Sequence, residues 1–374
     1  MKFKAEKKVI LDAVLPTLCA LSSKALIPAL ECIHMKAVNS VLTVTGYDLA
    51  KGVRTETEVM IEEEGEVLLN AQKFSSIIRT LPEGMVEISV DSNLKVTIVS
   101  GRIKFEIIGI STEGYPSIPE LSGERKFDIP KGILKRLCQQ LLFSVALDDK
   151  RPFLMGVNFE IDEDKLTAVS CDGFRLSIRY EKVKSEETFK FIVPGKTLSE
   201  LIKLLDDSDD VIHAELTNKH IIMNFDNIFF FSRLIEGEYL DYMRTIPKDT
   251  EIEVKVKLED IIRSCERANL VIDEKVKSPI KLEIIPDGII LSCDSANGKV
   301  RDEIKAEVSG KEIEIGFNNK YLLDSLRAAA LSDDEEVVMK LRSSLVGMSI
   351  TSPEHNEYFY LVLPVRLKEE NENN

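Results

Sequence analysis

Three stretches of this 374-residue chain read alike: LTVTGYDLAKGVRTE (42–56), AVSCDGFRLSIRYE (168–181) and ILSCDSANGKVRDE (290–303). In each, apolar and polar residues alternate up to an aspartate, a short turn-forming segment follows, and alternation resumes. That is the pattern of two antiparallel strands joined by a tight turn, for which Asp-Gly is a favoured pair. Asp48, Asp172 and Asp294 lie 124 and 122 residues apart, so the hairpin recurs at a domain-sized period. A chemical interpretation competes, because Ser-Cys-Asp occurs twice and resembles a nucleophile with helpers. The matching place in the first copy holds Tyr47, however, and no histidine stands near in sequence to activate Cys171 or Cys293. The triplets are scaffold.

A second element keeps the same period. NAQKFSSIIRTL (70–81), PGKTLSELIKLL (194–205) and NNKYLLDSLRAA (318–329) start 124 residues apart. Each opens on turn or cap residues and then spaces apolar groups by three and four, as an amphipathic helix does. Phe74, Leu198 and Leu322 correspond, as do Ile78, Ile202 and Leu326. An earlier helical segment precedes each hairpin, at 6–21, 130–147 and 257–272, with Pro16 expected to interrupt the first. Strand-like segments follow each second helix, at 86–110, 211–235 and 336–350, the last running on to FYLVLPVRL. The fold class is therefore α+β, three tandem copies of a unit with two helices packed on antiparallel strands. Breaks after GYPSIPEL (114–121) and near EYLDYMRTIPKD (238–249) give domains at 1–121, 122–248 and 249–367, and 368–374 (KEENENN) is expected to be a disordered acidic tail.

Composition removes several function classes. No apolar run approaches the ~18–20 residues of a membrane span, and the N-terminus has no small-residue cleavage site, so a cytoplasmic protein is expected. The six cysteines form no CxxC pair and the four histidines show no metal-ligand spacing. FIVPGKT (191–197) imitates the end of a phosphate-binding loop, but Lys190 stands where that loop needs its first glycine. No catalytic, metal or cofactor motif is present, and none of these roles is expected.

Net charge is −15, yet its distribution is uneven. The helical segments 6–24, 70–82, 130–147, 194–205, 257–272 and 318–330 hold 15 basic and 7 acidic residues, a net of +8 that leaves −23 for the rest. An electropositive helical face beside an acidic exterior is compatible with DNA, because phosphates respond to the field within a Debye length of ~8–10 Å.

Four stretches then carry a resemblance: RPFLMGV (151–157), SCDGFRL (170–176), LIEGEYLDYMRTIP (234–247) and YLVLPVRL (360–367). Their order and spacing resemble the bacterial DNA polymerase III β subunits, the β sliding clamps, over residues 1–367. The resemblance implies a homodimer closed head to tail into a ring, with helices lining a hole for double-stranded DNA held independently of sequence. It places Lys24, Arg79 and Lys196 facing DNA. It implies a pocket walled by Arg151, Leu154, Gly173, Arg175, Leu176, Leu361, Leu363, Pro364, Val365 and Arg366, which takes peptides of the DNA polymerase III α subunit, the clamp loader, other DNA polymerases and repair proteins. It sets Ile107 opposite Leu270 and Val271 at the dimer seam. The residues add that LVLPVRL, an apolar strand with Pro364 inside, suits a sheet edge. The chain departs from the family's usual residues at Cys171, Phe174, Leu240, Leu363 and Val365, so peptide preference is open, and the acidic tail is expected to compete with acidic partners. A related ring that binds proteins without riding on DNA is the alternative.

Overall fold

The computed structural model of the chain describes residues 1–22, 27–116, 122–185, 187–272 and 278–367; the expected tail lies outside them. Each repeat opens with a strand, Lys2–Glu6, Arg125–Pro130 or Ile252–Lys257. Alternation announces it, as in KFKAE, where Phe3 and Ala5 are buried between exposed or half-buried neighbours. The first helices follow directly: α1 (Lys7–Val14), α3 (Lys131–Leu141) and α5 (Leu258–Asn269). Pro16 does interrupt the first one, since α1 stops at Val14 and a 3-10 turn, Leu15–Ala20, carries the proline in its first turn.

The hairpins come next, and then the second helices: α2 (Ala71–Thr80), α4 (Gly195–Leu201) and α6 (Asn319–Ala329). Asn70 caps α2 by accepting the Lys73 N–H at 3.0 Å, and Asn318 caps α6 by accepting those of Lys320 at 3.0 Å and Tyr321 at 3.4 Å. α3 and α4 are shorter than their apolar spacing suggests, because each tightens into a 3-10 turn, Leu142–Ser144 and Ile202–Leu204.

The chain divides into two compact units, Met1–Ile133 with Lys196–Leu234, and Leu134–Gly195 with the chain from Ile235 onward. The first holds a five-stranded sheet ending on Ile103–Ile108, which among the described residues pairs on one side only, with Lys95–Ser100. It also holds an eight-stranded sheet in which Ile228–Arg233 of the second repeat pairs with Lys51–Glu58 of the first, Gly52 lying opposite Phe231. The second unit is built on a twelve-stranded sheet. There Tyr358–Val362 of the third repeat pairs with Arg175–Lys182 of the second, Leu176 opposite Leu361. Cores of Ile, Val, Leu and Phe fill the space between sheets and helices in both units.

The end of the chain corrects an expectation. Tyr358–Val362 is an interior strand, paired with Met348–Thr351 on one side and Arg175–Lys182 on the other. Pro364 lies beyond the ladder's last residue, where no strand N–H is required of it. Leu363 N–H still donates to Phe174 O at 2.9 Å and Val365 N–H to Gly316 O at 2.9 Å. The terminal segment therefore ties the hairpin tip of one repeat to a sheet edge of the next.

Candidate peptide-binding cleft

The Ser-Cys-Asp hairpin of the second repeat is held by its aspartate. Asp172 Oδ1 accepts the backbone N–H groups of Phe174 at 2.9 Å and Arg175 at 2.8 Å. Gly173 takes φ +87°, which favours glycine, and a Cβ there would lie 3.8 Å from Arg151 Nη2. Asp48 builds the same turn in the first repeat, accepting from Ala50 at 3.0 Å and Lys51 at 2.8 Å. Asp294 does not: it sits within the ladder opposite Lys299. Ser170 is buried against Ser144 Oγ at 2.6 Å and Leu141 O at 2.8 Å. Cys171 receives the Gly173 N–H at 3.3 Å, and burial pushes its thiol pKa up. Neither residue is arranged as a nucleophile, in agreement with the scaffold interpretation.

Side chains alternate across Arg175–Lys182. On one face Leu176 and Ile178 join Val169, Leu361 and Tyr242 in a small apolar cluster, with Cys171, Tyr239 and Leu240 packed at its border. Leu154 is buried as well. Leu363 remains 41 % exposed and Val365 lies open beside it. Gly347 leaves room for both Leu361 and Leu363, whose side-chain atoms lie 3.0 and 3.1 Å from the place a Cβ would take. Leu176, Leu361 and Leu363 thus make a floor and lip on one face. Arg151 is exposed and holds Asp149 at 2.9 Å, which keeps that carboxyl down at about 2. Arg366 is exposed, and Pro364 is half-buried.

Arg175 belongs elsewhere. It points to the opposite face, buried, where it binds Asp172, Asp324 of α6 at 2.8 Å and Phe143 O, with its guanidinium 4.3 Å from the Tyr321 ring. It joins the second repeat to the third and has no free fork for a ligand. Residues absent from the sequence-based set lie on the Arg175 side. Phe174 is 57 % exposed at the hairpin tip with its ring 5.7 Å from Tyr321, and a cavity of about 510 Å³ opens beside Tyr321, lined by Asn318, Lys320, Asn269 and Ser278. A turn position flanked by Gly173 signals exposure of Phe174; nothing in the sequence signals Tyr321, which meets it only through the fold.

The other expected residues divide unevenly. Lys24 lies outside the described residues. Arg79 is exposed in the last turn of α2 and Lys196 in the first turn of α4. Leu270 is 84 % exposed past the end of α5, and Val271 is half-buried against the third repeat's core. Ile107 does not face outward: at 8 % exposure it belongs to the first repeat's core, and Ile108 beside it is 74 % exposed. Alternation along Ile103–Ile108 decides which isoleucine can meet a partner.

Three tandem two-helix domains with an apolar cleft at a sheet seam define a repeat protein that binds through that seam's lip, and comparison with known proteins identifies the family. Models of the N-terminal, central and C-terminal domains of the DNA polymerase III beta subunit match residues 1–119, 128–241 and 243–366. The beta sliding clamp of Bacillus subtilis is 31 % identical over 379 residues, covering 98 % of this chain and all of the relative. The crystal structure of the B. subtilis clamp matches with a TM-score of 0.94 at 31 % identity, covering 98 % of this chain and 100 % of that one. A putative DNA polymerase III beta subunit from Eubacterium rectale gives 0.93 at 33 %, with the same coverage. A Pseudomonas aeruginosa sliding clamp bound to griselimycin gives 0.90 at 26 %, again covering 98 % and 100 %. The chain belongs to the DNA polymerase III beta subunit family, the beta sliding clamps.

Proposed function

We propose that two copies of this chain close head to tail into a ring that encircles duplex DNA, without catalysis of its own. The ring tethers the polymerase III α subunit, the clamp loader and other polymerases or repair proteins through the Leu176–Leu361–Leu363 cleft. Its domains run 1–121, 122–248 and 249–367, and it works on DNA in the cytoplasm.

The pairing pattern carries the proposal. The last strand of the second repeat pairs with the first repeat's hairpin, and the last strand of the third pairs with the second repeat's hairpin. By the same rule the third repeat's hairpin strand, Gly298–Ser309, requires a strand, yet among the described residues it pairs along 298–305 only with Gly288–Ser295. The first repeat's last strand, Ile103–Ile108, has the free edge that fits. A second copy of the chain satisfies both edges. Transferring the register of Arg175 opposite Val362 sets Lys299 opposite Ile107 and Val300 opposite Glu106.

A clamp loaded on nicked circular DNA should stay bound through gel filtration and be released when the circle is cut. Retention on neither circular nor linear DNA would favour the protein-binding ring that does not ride on DNA. For the cleft, apolar floor and flanking arginines suit a short peptide with leucine and a terminal phenylalanine or leucine, a few anchors supplying most of the energy.

A further inference from the structure

The first repeat has a concavity of its own, on the sheet face turned away from its helices. Along Cys32–Val38 and Val41–Tyr47, Ile33, Met35, Leu42 and Val44 enter the core with α1 and α2. On Lys51–Glu58, the Thr55 hydroxyl donates to Ala13 O of α1 at 2.6 Å. Alternation therefore puts His34, Lys36, Thr43, Thr45 and Arg54 on the other face. Lys36 lies opposite Thr43, and Thr45 is flanked by His34 and Arg54. With Tyr115 and Pro116 they line a trough of about 660 Å³. The same register recurs 124 residues on, where Val169 lies opposite Ile178 in the apolar cluster of the second repeat. Thr45 opposite Arg54 is the polar counterpart of that pair.

The charged groups of the trough are unequally engaged. Glu66 stands beside Lys36 across the ladder, but it accepts from Thr112 Oγ1 at 2.8 Å and meets His34 Nε2 at 2.9 Å. These bonds hold its carboxyl below the usual range. Lys36 is exposed and has no ion pair among the described residues. The Arg54 guanidinium lies 4.7 Å from the Phe229 ring centre, and its Nε is 3.3 Å from Glu56 Oε1 without a hydrogen bond. Stacking fixes the plane of that fork and leaves its N–H edge for a ligand. Neither the Thr43 nor the Thr45 hydroxyl has a hydrogen-bond partner among the described residues. Two cations and two hydroxyls thus face one weakly engaged carboxylate.

Strand spacing roots Lys36 and Arg54 about 12 Å apart on a diagonal that crosses the two threonines. Long stems let both heads converge on an anion seated between them. A phosphate monoester carries about 1.5 to 2 negative charges at pH 7, which matches two cations, and an arginine fork suits its oxygens. The trough is far larger than a bare phosphate, and Val38, Val41, Tyr115 and Pro116 supply an apolar wall for an organic body. We propose that this trough binds a small organic phosphate monoester. Lys36 and Arg54 hold its oxygens, Thr43 and Thr45 donate between them, and Glu56 weakens the site by competing for Arg54. The site depends neither on ring closure nor on the peptide cleft.

The test titrates the full-length protein, isotope-labelled at its threonine methyl groups, with AMP, adenosine and inorganic phosphate at constant ionic strength. AMP should move the Thr43 and Thr45 signals saturably and leave Thr167, the counterpart of Thr43 in the second repeat, unmoved. Adenosine should move neither, and inorganic phosphate should bind on the order of tenfold more weakly than AMP, lacking the body that meets the apolar wall. Lys36→Gln, at an exposed side chain, should weaken AMP on the order of tenfold with the melting temperature unchanged. Glu56→Gln should tighten it. Unchanged AMP affinity in Lys36→Gln, or Thr167 moving with Thr43, overturns the site. Adenosine or inorganic phosphate binding as tightly as AMP overturns the monoester as its ligand.

Discussion

Leu363 and Arg175 both suit a peptide groove by residue type, yet they have opposite roles, and the difference is legible only from which face each occupies. Leu363 is an open apolar lip above Leu176 and Leu361. Leu363→Ala should weaken a bound clamp-binding peptide by about 1–3 kcal/mol, measured by calorimetry, while leaving the melting temperature nearly unchanged. Wild-type peptide affinity in that variant would remove the cleft assignment. Arg175 and Arg179 line the other face, where Arg179 is buried between Glu181 and Glu357. Arg179→Ala leaves two carboxylates without their cation, one of them, Glu181, already pushed up by burial, and should destabilise the fold by about 3–5 kcal/mol, read by denaturant unfolding. Alternation in the sequence shows that Leu176 and Arg175 face opposite ways. It does not show that both faces are buried, so an arginine beside an apolar residue is easily mistaken for a second wall of the same groove.

The first two hairpins, the second helices of the first and third repeats and the proline break are readable because each rests on local chemistry: a turn aspartate, a capping asparagine, a missing N–H. The opening strands are harder to see, although KFKAE, RKFDIP and IEVKVK alternate plainly. Five or six residues before a stronger helical signal are easily absorbed into it. Pro364 suggests an edge position for the terminal strand only if it is counted inside that strand, whereas pairing ends at Val362. Strand order depends on partners more than a hundred residues away, which no local pattern encodes. The same pairing logic makes the seam testable. Leu270→Ala with Val271→Ala should give a folded monomer by sedimentation, Leu270 being exposed and Val271 lying against Gly298 at the start of the open edge. Glu106→Cys in one chain and Val300→Cys in another should cross-link under mild oxidation if the transferred register holds. Reaction only at neighbouring positions would shift the register, and persistence of the dimer in the double alanine variant would sink the seam.

Three repeats and one hairpin design raise the question of why only one seam should bind peptides. The two seams within the chain correspond in their hydrogen bonds: Arg233 N–H donates to Ala50 O at 2.7 Å as Leu363 N–H donates to Phe174 O at 2.9 Å. Their side chains differ at the places that matter. Where the second seam has Leu176 opposite Leu361, the first has Gly52 opposite Phe231, and a Cβ on Gly52 would fall 2.3 Å from the Phe231 ring. Phe231 therefore covers the space that Gly52 leaves open, where the second seam has the Leu176 side chain, and Arg233 stands where the second seam has Leu363. The first seam is a plugged version of the cleft. Calorimetry should accordingly give one peptide per chain, and a second site of similar affinity would contradict the plug. Gly52→Ala should destabilise by about 1–3 kcal/mol through overpacking, and Phe231→Leu by a comparable amount through the cavity it leaves. Combined, the two changes should cost less than their sum, because the new methyl enters space the smaller side chain has vacated, with a coupling of about 0.5–3 kcal/mol in a double-mutant cycle. Strict additivity would mean that Phe231 does not fill the groove over Gly52, and the explanation for a single peptide site would have to be sought in the charge of Arg233 instead.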